Sequence, residues 1–195
     1  ARQYYAMISL IDECVGLLIR QLEVSGLLDN TWIIYSSEHG EMLGDHGLMA
    51  KFNFYGSSVQ VPLIIRPPGG CEGTTSSELA ALIDVGPTLL DVADAPPLPD
   101  ASGRSLLPTL SGSESGRDCL FSEIQKQSRK GEAPTFRAVR NHRYRLTLET
   151  STNTPCELFD LQEDPDERDN RLGDLSLTVQ QAELTAQLRE CIGQL

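Results

Sequence analysis

Apolar residues recur at three- and four-residue steps through the first part of the chain: Tyr4, Ile8, Ile11, Val15, Leu18 and Leu22. That spacing lines one face of an α-helix over about residues 3–26, and Gly26 is placed to end it. Thr31-Trp32-Ile33-Ile34-Tyr35 is apolar without alternation, the pattern of a strand buried on both faces. A helix followed by such a strand is half of a βαβ unit and predicts a parallel sheet. A polar, glycine-punctuated segment follows from Ser36 to about Ser58, longer than an ordinary connection. Val61 to Arg66 reads as the next strand, stopped by Pro67-Pro68-Gly69-Gly70. Asp84 is an N-cap candidate for a helix running to about Ala93, and Ser105 to Leu110 reads as a helical turn.

The texture changes after about Ser111. Cys119–Ile124, Phe136–Arg140, Tyr144–Glu149 and Glu157–Leu161 are short strand candidates, with Asn141-His142-Arg143 as a hairpin turn. Leu177 to Ile192 reads as a closing helix. The pattern predicts two parts, residues 1–112 and residues 113–195. The first is α/β with a mostly parallel sheet, and the second a small antiparallel α+β subdomain.

Hydrophobic residues make up 39% of the 195, enough for a core. The net charge of -12 argues against nucleic-acid binding, which needs a basic patch. A local basic site remains open to Lys51 with Arg66. Five cysteines, at 14, 71, 119, 156 and 191, form no CxxC pair, which excludes zinc-ribbon and thioredoxin-like readings. Cys14 and Cys191 read as small buried groups on helices. No run of about 18 apolar residues marks a membrane span. The opening Ala1-Arg2-Gln3 carries no initiator Met or signal-peptide pattern and runs straight into a helix, as a cut inside a longer protein would.

Chemistry-bearing residues concentrate in Ser36-Ser37-Glu38-His39-Gly40-Glu41-Met42-Leu43-Gly44-Asp45-His46-Gly47, with Lys51 close behind. Adjacent Glu38 and His39 leave the end of a strand and offer a carboxylate oxygen and an imidazole nitrogen to a divalent cation. Lys51 is a compact positive charge suited to a tetrahedral oxyanion. Asp45 and Glu41 read as loop-capping or solvated groups rather than ligands. Phe54 and Tyr55 fit either a pocket wall or packing under the loop. Taken alone, the segment reads equally well as a solvated surface loop.

The order Ser37-Glu38-His39-Gly40-Glu41, then Gly44-Asp45-His46-Gly47, then a Lys twelve residues after the first His, resembles a signature of the sulfatase family, within the alkaline phosphatase superfamily. Tyr4 to Asp12, Ser58 to Ile65, Asp84 to Leu90, Gly103 to Pro108, Arg137 to Arg140 with Tyr144, and Glu157 to Leu161 with Asp164-Pro165 resemble further family segments in order. The resemblance implies an alkaline phosphatase-like α/β fold, present here in its C-terminal part. It implies hydrolysis of a small-molecule or carbohydrate sulfate ester. Glu38 and His39 occupy positions of metal ligands, Lys51 that of the sulfate-contacting catalytic Lys, and His46 a position that could line the substrate pocket. The metal implied is one divalent ion, calcium in most relatives, with manganese or zinc as alternatives. The nucleophile implied is a formylglycine hydrate made in a C/S-x-P-x-R sequence.

Two departures stand out. The family carries Asp where Glu38 stands, and Glu is longer by one methylene, roughly 1.5 Å. No C/S-x-P-x-R occurs in these residues, and further acidic ligands expected near a family N-terminus are also missing. Truncation accounts for both absences, and a diverged, non-catalytic binding protein is the alternative. Phosphonate or phosphate esters are alternative substrates on the same fold. The alcohol of the ester, the compartment (periplasmic or secreted settings are compatible) and the oligomeric state are not encoded in these residues.

Overall fold

A computed structural model describes residues 2–71, 73–125 and 135–193, and side chains up to residue 190. The chain forms two compact units, one of residues 1–51 and 60–76, the other of residues 52–59 and 77–195.

The first unit opens with helix α1 (Arg2–Val24). Gly26, at φ 67°, turns the chain out of it, a conformation that glycine adopts without steric cost. Tyr4, Val15, Ile19 and Leu22 are half-buried, whereas Ile8, Ile11 and Leu18 of the expected stripe are exposed. Cys14, expected to be buried, is exposed on the same helix. The strands of this unit are β1 (Ile33–Ser36) and β2 (Leu63–Arg66), four residues each.

β1 and β2 are neighbours, as expected, but they run antiparallel, with Ile33 opposite Arg66 and Ser36 opposite Leu63. The parallel arrangement expected for this pair is thus corrected. The connection from residue 37 to residue 62 leaves and returns at the same end of the pair, and the Ser36 hydroxyl donates to the Pro62 carbonyl across its base (2.8 Å). A parallel pair would instead need a crossover to the opposite end. All four β1 residues are half-buried and Ile64 of β2 is exposed.

The second unit contains the short helices α2 (Gly56–Val59), α3 (Val85–Val92) and α4 (Leu107–Leu110). Its sheet is a four-stranded antiparallel meander in the order β3 (Leu120–Gln125), β4 (Thr135–Arg140), β5 (Tyr144–Glu149), β6 (Thr154–Asp160). α5 (Thr178–Gly193) follows. Strand alternation sends Val139, Leu146, Leu148 and Leu158 to one face, where Leu177, Leu184 and Leu188 close the core. The opposite face carries Arg145, Thr147, Glu157 and Phe159, paired Arg145↔Phe159 and Thr147↔Glu157. The β4–β5 turn is tied by the Asn141 carboxamide oxygen, which accepts from Arg143 N (2.8 Å) and Tyr144 N (2.6 Å).

Asp84 precedes α3 but makes no capping bond to it. Its fully buried carboxylate accepts from Arg104 N (2.9 Å), Ala81 N (3.0 Å) and the Arg117 guanidinium (2.5 Å). Burial pushes this carboxyl up, and the Arg117 side chain and the two amides outweigh it, leaving the group below the usual carboxylate range. Gly103, beside Arg104, is required by space: a Cβ there would stand 2.1 Å from the Ile83 carbonyl oxygen.

Candidate metal and oxyanion site

β1 ends at Ser36 and delivers Ser37, Glu38 and His39 into the loop that follows. The His39 Nδ1 lies 2.8 Å from the Gly40 carbonyl oxygen. A carbonyl only accepts, so Nδ1 carries the proton, and in the neutral ring Nε2 presents its lone pair. A hydrogen bond of this kind commonly fixes the tautomer of a metal-ligating histidine. Nε2 lies 3.6 Å from Glu38 Oε1. The Ser37 hydroxyl donates to the other carboxylate oxygen, Glu38 Oε2 (3.1 Å). The Glu38 side chain is 79% exposed. Its pKa is lowered by a hydrogen bond from its own backbone amide, then by Ser37, His39 and Lys51.

An imidazole nitrogen and an ionised carboxylate 3.6 Å apart fit two corners of a divalent-cation shell. They do not complete one: among the described residues no group of three or more His, Cys, Asp or Glu side chains could hold a metal.

The loop between His39 and Lys51 is internally tied. Met42, 1% exposed, anchors it from below, and its amide donates to the Ala50 carbonyl (2.9 Å). Glu41 Oε1 accepts from Ala50 N (2.6 Å) and Leu43 N (3.2 Å), the capping role expected of it. Asp45 Oδ1 accepts from His46 N (3.1 Å). Gly44 and Gly47 take positive φ, 99° and 71°. So do four non-glycine residues, Leu43, His46, Ala50 and Phe52, at 49°, 50°, 66° and 79°. Each costs on the order of 1–3 kcal/mol and persists only where surrounding bonds impose it. Lys51, half-buried, stands between two of them.

His46 is half-buried on its own turn, Asp45–Gly47. Arg66 is committed elsewhere: its Nη1 donates to the Leu28 carbonyl (3.0 Å) and its Nη2 lies 3.8 Å from Asp29. It therefore does not extend a basic site from Lys51.

In the second unit, Phe54 is buried and Tyr55 packs edge-on against Phe159 at 6.1 Å, the packing role of the two considered. Sequence reasoning missed Arg145 and Glu167 beneath them. Both are nearly fully buried, at 1% and 3% exposure. Glu167 Oε1 accepts from Arg145 Nε (2.5 Å) and Oε2 accepts from Gly56 N (2.5 Å). Glu157 Oε2 and Thr147 Oγ1 take the Arg145 Nη1 protons, at 2.8 and 2.7 Å.

Residues 44–194 match the sequence profile of the N-sulphoglucosamine sulphohydrolase C-terminal family. The chain belongs to the sulfatase family. It is 38% identical over 188 residues to the choline-sulfatase of Rhizobium meliloti, a match that covers 95% of this chain and 35% of that protein. It is 31% identical over 194 residues to the N-acetylglucosamine-6-O-sulfatase of Bacteroides thetaiotaomicron, covering 97% of this chain and 35% of that protein. The sulfatase chain thus spans about a third of the length of these curated relatives. Among solved structures it is similar to a protein in complex with its substrate D-glucosamine-2-N,6-O-disulfate. That match has a TM-score of 0.88 and 31% identity, covering 98% of this chain and 40% of that one. It is also similar to the phosphonate monoester hydrolase of Agrobacterium radiobacter, with a TM-score of 0.86 and 28% identity, covering 98% and 40%. The fold is accordingly the alkaline phosphatase-like α/β type in its C-terminal region, ending in the antiparallel sheet and helix. No helix among the described residues is long and apolar enough to cross a membrane.

Proposed function

We propose that this chain supplies part of the metal site and the oxyanion contact of a sulfatase that cleaves a small-molecule or carbohydrate sulfate ester. The observation that carries the reading is the 3.6 Å between Glu38 Oε1 and His39 Nε2, with His39 Nδ1 engaged by a carbonyl; Lys51 follows on the same loop. Glu38 and His39 would hold one divalent cation, calcium by family resemblance, together with acidic ligands from outside these residues. When bound, that ion withdraws charge from the sulfuryl oxygens.

The chain's own groups then have distinct tasks. The Gly40 carbonyl holds the His39 proton on Nδ1, so the Nε2 lone pair would be available to ligate a cation. Ser37 fixes one oxygen of Glu38 and leaves the other oriented toward His39. Lys51 donates to a non-bridging sulfuryl oxygen and stabilises the charge that grows as the ester bond breaks. His46 stands on the same loop, where it would meet the alcohol portion of a substrate. The nucleophile, a formylglycine hydrate by family resemblance, lies outside these residues. The sulfated sugar bound by one structural relative and the names of the sequence relatives support sulfate as the transferred group.

The comparable similarity to a phosphonate monoester hydrolase supports a second reading, in which the same cation and Lys51 hold a phosphonate. Paired turnover measurements on the full-length protein, with aryl sulfate and aryl phosphonate monoesters of one alcohol, decide between them. Sulfate preference is expected. A preference for phosphonate would replace the sulfate assignment, and hydrolysis of neither would favour a non-catalytic binding protein.

A further inference from the structure

The segment after His39 folds back on itself within the first unit. Met42 N donates to the Ala50 carbonyl (2.9 Å) and Gly44 N to the Leu48 carbonyl (2.8 Å), so residues 42–44 run beside residues 48–50. The turn Asp45–Gly47 closes the far end, where Gly47 N donates to the Gly44 carbonyl (3.0 Å) and Leu48 N to the Asp45 carbonyl (2.8 Å). The near end is closed by one side-chain atom. Glu41 Oε1 accepts from Ala50 N (2.6 Å) and from Leu43 N (3.2 Å). Both donors belong to residues in the left-handed backbone region, Leu43 at φ 49° and Ala50 at φ 66°. Neither side chain favours that conformation, so local bonds must hold it. A single carboxylate oxygen supplies one such bond to each residue.

The tied residues stand next to the groups that carry chemistry. Glu41 lies two residues after His39, and Ala50 one residue before Lys51. The bonds from Ala50 to Glu41 and Met42 bring the chain back to the start of the loop immediately before Lys51. Nine positions separate Glu41 from Ala50, and closing such a span costs chain entropy that the bonds at its base must offset. Met42, 1% exposed, makes one of those bonds and Glu41 the other, so both polar groups of the Ala50 backbone are engaged. We propose that Glu41 is a positioning residue for Lys51: its Oε1 holds the Ala50 amide and so fixes the backbone torsions that lead into Lys51. What it contributes is an acceptor oxygen at the right reach, not a negative charge. This rests on the role given to Lys51 above, and the test separates the two.

The test compares Glu41→Gln and Glu41→Ala with the parent in the full-length protein, by amide hydrogen exchange and by turnover on an aryl sulfate. Gln keeps an acceptor oxygen at the same reach and loses the charge; Ala loses both. In Glu41→Ala, exchange of the Leu43 and Ala50 amides is expected to quicken while the strands 33–36 and 63–66 keep their protection. Turnover should fall about ten- to a hundredfold, the scale of a catalytic group misplaced by about 1 Å. Glu41→Gln should recover most of both. In a Lys51→Ala background the Glu41→Ala loss in turnover should vanish, because its effect runs through Lys51. Unchanged exchange at Ala50, loss of protection in both strands, a Gln variant as impaired as the Ala variant, or turnover losses that multiply with Lys51→Ala would each overturn the proposal. If Lys51→Ala alone keeps native turnover, the catalytic reading of Lys51 fails, and the exchange measurement still decides whether Glu41 closes the loop.

Discussion

His39 directs its Nε2 toward Glu38 Oε1, 3.6 Å away, while its other ring nitrogen is spent on the Gly40 carbonyl. Neighbouring residues leaving a strand normally diverge, since successive side chains point to opposite faces. Here the chain has already left β1 at Ser36, and the two side chains converge. That convergence is what a shared cation requires.

Substitutions at Glu38 test the shared cation. Glu38→Gln removes the carboxylate charge and should weaken divalent-ion affinity of the full-length protein by about tenfold or more. Glu38→Asp restores the family's ligand length and should keep or improve affinity. Isothermal titration with calcium and with manganese measures both. Unchanged affinity in both variants would remove Glu38 from the ligand set.

The lowered Glu38 pKa gives the pH dependence a direction. A carboxyl held below its ordinary value stays ionised further into acid, so its contribution to cation binding should persist as pH falls toward about 4.5 and fade only below that. Calcium affinity of the parent and of Glu38→Gln, compared between pH 7 and pH 4, reads this. The two should converge only at the acid end.

Asp84 supplies a stability test. Its folded pKa is depressed, so it stabilises the fold above its unfolded value, near 3.8, and that contribution is lost as pH falls through the folded value. Asp84→Asn leaves Arg117 without its buried partner and should cost about 3–5 kcal/mol at neutral pH. The gap in melting temperature between parent and variant should narrow as the solution is taken below pH 3.8. A gap independent of pH would show that packing, not charge, holds this corner.

Gly103→Ala should destabilise by about 1–3 kcal/mol, because the new Cβ would overlap the Ile83 carbonyl and force the backbone apart. Chemical denaturation measures it. A neutral result would mean the 103–105 segment moves freely away from Ile83.

Much of this was legible in residue patterns, and the exceptions have physical causes. The Asn141 turn and the four strands around it follow from short β-rich runs broken by a turn former. Glu38, His39 and Lys51 were singled out because their spacing resembles a sulfatase signature; residue types alone left the segment equally readable as a solvated loop. The sense of β1 against β2 did not, because either direction buries the same apolar residues; it depends on where residues 37–62 return. Glu167 was hidden in an acidic stretch, Glu163 to Asp169, that has the composition of a solvated face. Its burial depends on Arg145, and that meeting is set by tertiary packing between residues 22 positions apart. The positive φ values at Ala50 and Phe52 leave no trace in residue type, since neither residue favours them.

The central claim is that Lys51 stabilises the sulfuryl group as its ester bond breaks, and the turnover of Lys51→Ala in the full-length protein on an aryl sulfate tests it most directly. Losing one such contact typically costs about a hundred- to a thousandfold in rate, or roughly 3–4 kcal/mol. Lys51→Arg should rescue little, because a planar fork does not replace a compact ammonium in a tight site. The account predicts a fall of that size with the melting temperature nearly unchanged; near-native turnover in a folded Lys51→Ala protein would contradict it.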